Sequence, residues 1–298
     1  MRKVDNIRFF ISIALFFAFS FIFLILNNTD TKYLLANTIS AKEADDTKKD
    51  SAIVLANPFS EINLSANSAL VYVPAKDQVL FDKNSKKQLA LASLTKLVTA
   101  VVALETLKED ELIPFAGDLF YRDDLVSYML VVSSNEAADA IANYINNKYG
   151  NFYKKAKDII NKIGLKQTYI LNPSGLDISD YQSGGYGSAY DVAKLIYYIH
   201  KHYQHILDKT TDSSISITGL NSLNISGKNT NKIIGNLAGF IGGKTGYTDI
   251  SGGNLAVIVE PGGFGPVVIV VLGAKDKTER FVDVKNIYEK LMEYISYM

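Results

Sequence analysis

Three short motifs in this chain carry residues able to perform acyl transfer without histidine: Ser93-Leu-Thr-Lys96, Ser133-Ser-Asn135 and Lys244-Thr-Gly246. A serine hydroxyl is a weak nucleophile until a base takes its proton, and a lysine amine is such a base only when its pKa falls. Burial and a neighbouring cation both lower it. Three residues apart on a helix, Ser93 and Lys96 share one face, and Lys244 supplies the second cation if a sheet edge meets that helix. The S-x-x-K pattern occurs once in the chain; standing alone it reads as a helix-capping serine and a solvated lysine.

The second motif is weaker, because Ser65-Ala-Asn67 and Ser222-Leu-Asn224 also match S-x-N. Its place between two helical segments selects Ser133-Ser-Asn135, where Ser133 can relay a proton and the Asn135 amide can orient a peptide group. Capping of the next helix by Ser133 or Ser134 is the competing explanation. Lys244, Thr245 and Gly246 on a strand aim an ammonium and a hydroxyl at an anionic substrate end, with glycine admitting the substrate to the backbone. An ordinary exposed strand and turn is the alternative. The order of the three, on buried helix, interhelical loop and late strand, argues against coincidence.

Histidine does not compete for the chemistry. His200, His202 and His205 cluster at the end of one predicted helix, lack the i, i+4 metal pair, and read as a solvated helix end. Tyr247, Asp249 and Arg280 can approach the site, but each reads first as a structural or surface residue.

The elements that must position these groups follow from periodicity. Leu70–Val73 and Val79–Phe81 predict an opening hairpin. Leu94, Leu97, Val98, Val101, Leu104 and Leu107 recur at helical steps, and Val102 and Ala103 make this helix apolar on nearly all sides, so it belongs in the interior. Further helices are predicted at about 124–132, 136–147, 153–163 and 188–203. Strands return at 215–218, 237–245, 254–259 and 267–272, and Val284, Tyr288, Leu291 and Ile295 mark a last amphipathic helix. Strands at both ends with helices between predict an α+β fold: an antiparallel sheet flanked by helices, closed by both chain ends, with an inserted helical lobe and a cleft between lobe and sheet.

The 298 residues are 48% hydrophobic, enough for a packed core. Lys plus Arg and Asp plus Glu number 31 each, so no overall field draws the chain to nucleic acid, and no nucleic-acid partner is expected. Cysteine is absent, which removes thiolate nucleophiles and disulfides and suits an exported protein. Arg2, Lys3 and Arg8 precede the uncharged run Phe9–Leu26, eighteen residues that are just long enough to span a membrane as a helix. This favours an uncleaved single-pass anchor over a removed signal peptide, with residues 1–27 as tip and anchor, 28–60 as a polar tether reaching about 30 Å, and 61–298 as a catalytic domain outside the cytoplasmic membrane.

From about Asn63 onward the sequence resembles the low-molecular-mass penicillin-binding proteins that act as serine D-Ala-D-Ala carboxypeptidases. The resemblance rests on Ala92-Ser-Leu-Thr-Lys-Leu-Val-Thr99, Ser133-Ser-Asn-Glu-Ala-Ala138, Asn172-Pro-Ser-Gly-Leu-Asp177, Asn229-Thr-Asn231 and Gly243-Lys-Thr-Gly-Tyr-Thr248, in that family's order. It implies a beta-lactamase/transpeptidase-like fold, removal of the terminal D-Ala from peptidoglycan stem peptides, covalent inhibition by beta-lactams, and no metal or organic cofactor. It makes Ser93 the acylated nucleophile, Lys96 its base, and Ser133, Asn135 and Lys244 the proton-transfer and orienting set. Thr245 binds the substrate carboxylate on this reading, beside Gly246, and the backbone N–H groups of Ser93 and Tyr247 form the oxyanion hole. The stretch between Lys96 and Ser133 is shorter than members usually have, and Glu136 stands where the family often shows Asp. The N-terminal segment replaces the C-terminal anchor of many members.

Other functions use the same residues. A peptidoglycan endopeptidase differs only in what the cleft admits. A beta-lactamase of class A type needs a downstream deacylating glutamate, and the only glutamate between Asn135 and Lys244 is Glu136. A penicillin sensor needs a signalling module, and a non-catalytic wall-binding protein does not require Ser93, Lys96 and Lys244 together.

Overall fold

A computed structural model describes residues 57–298; the apolar run Phe9–Leu26 and most of the polar tether lie outside the described residues. The chain opens with a hairpin of β1 (Ser68–Val73) and β2 (Gln78–Lys83). A short β3 (Leu89–Ala90) leads through a 3-10 turn at Ala92–Thr95 into α1 (Lys96–Thr106). Next come the hairpin β4 (Leu112–Phe115) and β5 (Asp118–Tyr121), then α2 (Arg122–Val132), α3 (Asn135–Tyr149) and α4 (Phe152–Ile163). The strands β6 (Tyr169–Ile170) and β7 (Gly185–Gly187) join β3 in a small sheet, and α5 (Ala189–His202), α6 (Gln204–Asp208) and the hairpin β8 (Ser214–Thr218) and β9 (Asn224–Lys228) follow. Three long strands, β10 (Phe240–Thr248), β11 (Gly252–Val259) and β12 (Val267–Ala274), and the helix α7 (Glu279–Ser296) complete the fold.

The central sheet has the order β10-β11-β12-β1-β2, antiparallel throughout, so the first strand pairs with the last and both ends of the domain close one sheet. Every residue of β1 is buried, because helices cover both faces. Leu70, Ala256, Ile258, Val268 and Val270 pack with α1 and α5, while Val71, Val257, Ile269 and Val271 pack with Val284, Ile287 and Leu291 of α7. Period-two alternation is hidden in the sequence for this reason, since both sets are apolar. The interior helix α1 is buried from Lys96 to Leu104, as its all-round hydrophobicity predicts.

Several expectations shift in detail. Ser93 stands on the 3-10 turn before α1 rather than on the helix itself. The predicted strand at 215–218 finds its partner in Asn224–Lys228, and the hairpin of β4 and β5 has no counterpart in the sequence reading. The helix expected at 188–203 stops at Tyr203, whose φ of −143° is not helical, so His200 and His202 end α5 while His205 sits on α6 and meets Asp123 at 3.0 Å. Phe59 is buried against Phe81, with ring centroids 5.5 Å apart, so ordered packing reaches back to that residue.

Candidate active site

The nucleophile turn is held by an unusual backbone. Ala92, the residue before Ser93, has φ 48°, a left-handed conformation that costs a non-glycine residue energy and persists only where its surroundings enforce it. Gly175 provides the enforcement: a Cβ there would lie 1.9 Å from the Ala92 carbonyl oxygen, so only glycine lets the Asn172–Asp177 loop press against the turn. Ser93 is half-buried and Lys96 is fully buried.

Lys96 Nζ has three neighbours: Ser93 Oγ at 3.0 Å, Asn135 Oδ1 at 2.7 Å and the Ser174 carbonyl oxygen at 2.7 Å. A neutral amine has two N–H groups and one lone pair. Asn135 Oδ1 and the Ser174 carbonyl only accept, so they take both N–H groups and leave the lone pair to the Ser93 hydroxyl. Burial pushes the Lys96 amine down to about 7, against the pull of the Asp139 and Glu136 carboxylates in the other direction.

The two adjacent serines of the second motif divide their roles. Ser134 caps α3, accepting from the Ala137 N–H at 3.0 Å, and donates to Glu136. Ser133, in the left-handed region at φ 64°, is thereby left to accept from Lys244 Nζ at 2.8 Å. Burial holds the Lys244 amine well below its ordinary value, with repulsion from Lys96 and Arg280 adding to it. Burial is thus the main cause at both amines. The second cation, expected beside burial as a cause at Lys96, is not one there: burial acts against two carboxylates, and the repulsion between the amines is felt at Lys244.

On β10, a Cβ at Gly246 would lie 2.8 Å from the Leu91 carbonyl oxygen and 3.2 Å from the amide nitrogens of Ser93 and Leu94. The glycine therefore serves the approach of strand to nucleophile turn. Thr245 is buried, and its hydroxyl lies 2.6 Å from that of Thr230. Tyr247 is partly exposed, with its hydroxyl donating to Asp249 at 3.3 Å and Lys277 above its ring at 4.6 Å. Asp177 fastens the strand end by accepting from Thr248 Oγ1 at 3.0 Å.

The structure brings the eight residues singled out from the motifs together through contacts: Lys96 bonds to Ser93 and Asn135, Lys244 bonds to Ser133, and Gly246, between Thr245 and Tyr247 on β10, packs against the Ser93 turn. Three neighbours went unassigned. The Ser174 carbonyl is a backbone group, visible in sequence only as part of the run Asn172-Pro-Ser-Gly. Thr230 hides in Asn229-Thr-Asn231. Arg280 was set aside as structural, yet it is buried, donates from Nη1 to the Gly246 carbonyl at 2.7 Å, and pairs with no carboxylate among the described residues. Burial lowers its pKa to about 10.

The stretch that carries the eight motif residues is also the one that matches known proteins. A family model described as D-alanyl-D-alanine carboxypeptidase matches residues 54–115 and 113–276. The D-alanyl-D-alanine carboxypeptidase DacF of Bacillus subtilis is 27% identical over 259 residues, a match that spans 77% of this chain but 63% of DacF. A D-alanyl-D-alanine endopeptidase of Pseudomonas aeruginosa is 28% identical, over 74% of this chain and 75% of its own length. Penicillin-binding protein D2 of Listeria monocytogenes, solved in its ampicillin-bound form, superposes with a TM-score of 0.65 at 28% identity, covering 78% of this chain and 98% of that one. A D-alanyl-D-alanine carboxypeptidase of Mycobacterium tuberculosis shares the fold, with a TM-score of 0.69 at 20% identity over 78% of this chain and 92% of its own. The fold is therefore the beta-lactamase/transpeptidase-like α+β arrangement that the motifs imply. With a serine, two buried amines and a family match across most of the folded residues, this chain belongs to the D-alanyl-D-alanine carboxypeptidase family.

Proposed function

We propose that the protein is a serine carboxypeptidase that removes the terminal D-Ala from peptidoglycan stem peptides. The observation that carries this reading is the placing of the Lys96 amine, buried, with both N–H groups taken and its lone pair toward Ser93 Oγ. Ser93 Oγ attacks the carbonyl carbon of the penultimate D-Ala while its proton passes to Lys96, forming a tetrahedral intermediate. The backbone N–H groups of Ser93 and Tyr247 receive the oxyanion, a kind of contribution worth about 3 kcal/mol per donor elsewhere. Ser133, bonded to Lys244, delivers a proton to the departing D-Ala nitrogen as the C–N bond breaks, and the proton that Lys96 took from Ser93 then restores the Ser133 hydroxyl, leaving both amines neutral for the second step. Water then cleaves the Ser93 ester and restores the hydroxyl.

The substrate end fits the charges present. Thr245 offers a hydroxyl to the terminal carboxylate, and the guanidinium of Arg280, bonded to the Gly246 carbonyl and with no carboxylate partner among the described residues, adds positive charge there. Beta-lactams acylate Ser93 on this reading, in keeping with the ampicillin and cefotaxime forms of the Listeria protein. The endopeptidase relative supports a second reading in which the same residues cut cross-links. The basic flank and apolar run at residues 2–26 support a membrane-anchored catalytic domain facing away from the cytoplasm.

The test is incubation of the full-length protein with a D-Ala-D-Ala peptide, a cross-linked dimer and labelled penicillin, beside Ser93→Ala. Release of D-Ala from the monomeric peptide and a label dependent on Ser93 are the results expected. Labelling without D-Ala release would overturn the carboxypeptidase reading, and preferential cutting of the dimer would replace it by the endopeptidase one.

A further inference from the structure

The hydroxyls of Thr230 and Thr245 lie 2.6 Å apart, and each has the other as its hydrogen-bond partner among the described residues. Thr230 is held there by its neighbours rather than by its own side chain. The Asn229 amide donates to the carbonyls of Thr210 and Asp212 at 3.0 and 2.9 Å, the Asn231 N–H closes onto Asn229 Oδ1 at 2.8 Å, and the Thr230 N–H donates to the Val131 carbonyl at 3.2 Å. Val131 stands two residues before Ser133, so the backbone that sets Ser133 opposite Lys244 also sets Thr230 opposite Thr245.

A hydroxyl has one hydrogen to give and can accept as well. If Thr245 donates to Thr230, it has nothing left for a carboxylate, which only accepts. If Thr230 donates to Thr245, the Thr245 hydrogen is free and its oxygen is already polarised, which strengthens it as a donor. A substrate anion selects the second arrangement.

We infer that Thr230 is a positioning residue for recognition of the substrate carboxylate, acting through the Thr245 hydroxyl, and so discriminates peptides that end in a free acid from acyl donors that do not. The inference rests on the carboxypeptidase reading for its substrate, but its chemistry applies to any carboxylate-bearing acylating agent.

The experiment compares wild type, Thr230→Val and Thr230→Ser on two donors: a D-Ala-D-Ala peptide with a free C-terminal acid, and an acyl-D-alanyl thioester with an uncharged leaving group. Thr230→Val is expected to lose about ten-fold in kcat/KM on the acid, mainly through KM, and to stay within about two-fold of wild type on the thioester. Thr230→Ser is expected to match wild type on both. Equal loss on both donors indicates a general structural role and overturns the inference, as does no loss on either. Labelled benzylpenicillin, itself a carboxylate, keeps the test independent of peptide turnover. A wild type that is labelled but releases no D-Ala sinks the carboxypeptidase reading alone, and Thr230 is then judged on labelling rate, slower in Thr230→Val and restored in Thr230→Ser. A wild type inert to all three overturns both.

Discussion

Ser133 Oγ and Lys244 Nζ stand 2.8 Å apart although 111 residues separate them, one on the turn between α2 and α3 and the other on β10 at the edge of the central sheet. This bond ties the interhelical turn to the sheet and places a buried amine against the Ser133 hydroxyl. Its neighbour Ser134 makes the capping bond instead, which separates stability from chemistry in two adjacent serines. Ser134→Ala should lower stability by about 1 kcal/mol, with a thermal midpoint lower by a few degrees and acylation nearly unchanged. Ser133→Ala should do the reverse. Thermal melts and penicillin labelling of both variants check this, and identical behaviour of the two would contradict the division.

The Lys96 amine must be neutral to accept the Ser93 proton, and burial lowers it to about 7. The acylation rate should therefore rise with pH through about 7 and level off above it, falling about ten-fold per unit well below. Stability carries the same sign. The folded pKa lies below the unfolded value of 10.5, so the unfolded chain binds more protons in between; the cost of burying this amine is full below about 7 and fades as pH rises toward 10.5. Stopped-flow labelling from well below to well above a pH of about 7 tests the kinetic limb, and a flat profile would rule Lys96 out as the base.

Lys96→Arg keeps a cation but removes the base, because a guanidinium does not lose its proton at accessible pH. Acylation should fall by about 10³-fold, within the span typical of general-base removal. Circular dichroism confirms whether the variant folds, and a folded variant that is labelled at the wild-type rate would disprove the role.

Gly246→Ala would put a methyl group 2.8 Å from the Leu91 carbonyl and 3.2 Å from the Ser93 amide nitrogen. Because both contacts are backbone, relief requires the nucleophile turn to move, at a cost of about 1–3 kcal/mol. The expected result is slower acylation together with a lower melting temperature. Gly175→Ala should be worse, since its φ of +77° and the 1.9 Å contact with Ala92 leave no relaxed alternative. A Gly175→Ala protein as stable as wild type would show that the left-handed Ala92 is not held by this contact.

Much of this site was legible in the chain because its chemistry sits in local motifs: Ser93 and Lys96 are three residues apart, and Lys244, Thr245 and Gly246 are contiguous. The interior position of α1 followed from its unbroken apolar face. What escaped depends on partners distant in sequence. The Ser174 carbonyl looks like any other backbone group until folding brings it to Lys96, across 78 residues. Arg280 resembles a surface residue on an amphipathic helix until its guanidinium is found under Gly246. The β4 and β5 hairpin is tied down by Asp118, which accepts from the Asn221 and Leu223 backbone more than a hundred residues away, a contact without local signature.

The pairing of β1 with β12 links the two parts of the chain that supply the site. Lys244 stands on β10, and the hairpin that precedes Ser93 is β1 and β2; the middle strand β12, Val267–Ala274, joins the two by pairing with β11 on one side and β1 on the other. The two halves of the catalytic set thus come from opposite sides of a single strand, whose register decides whether they meet.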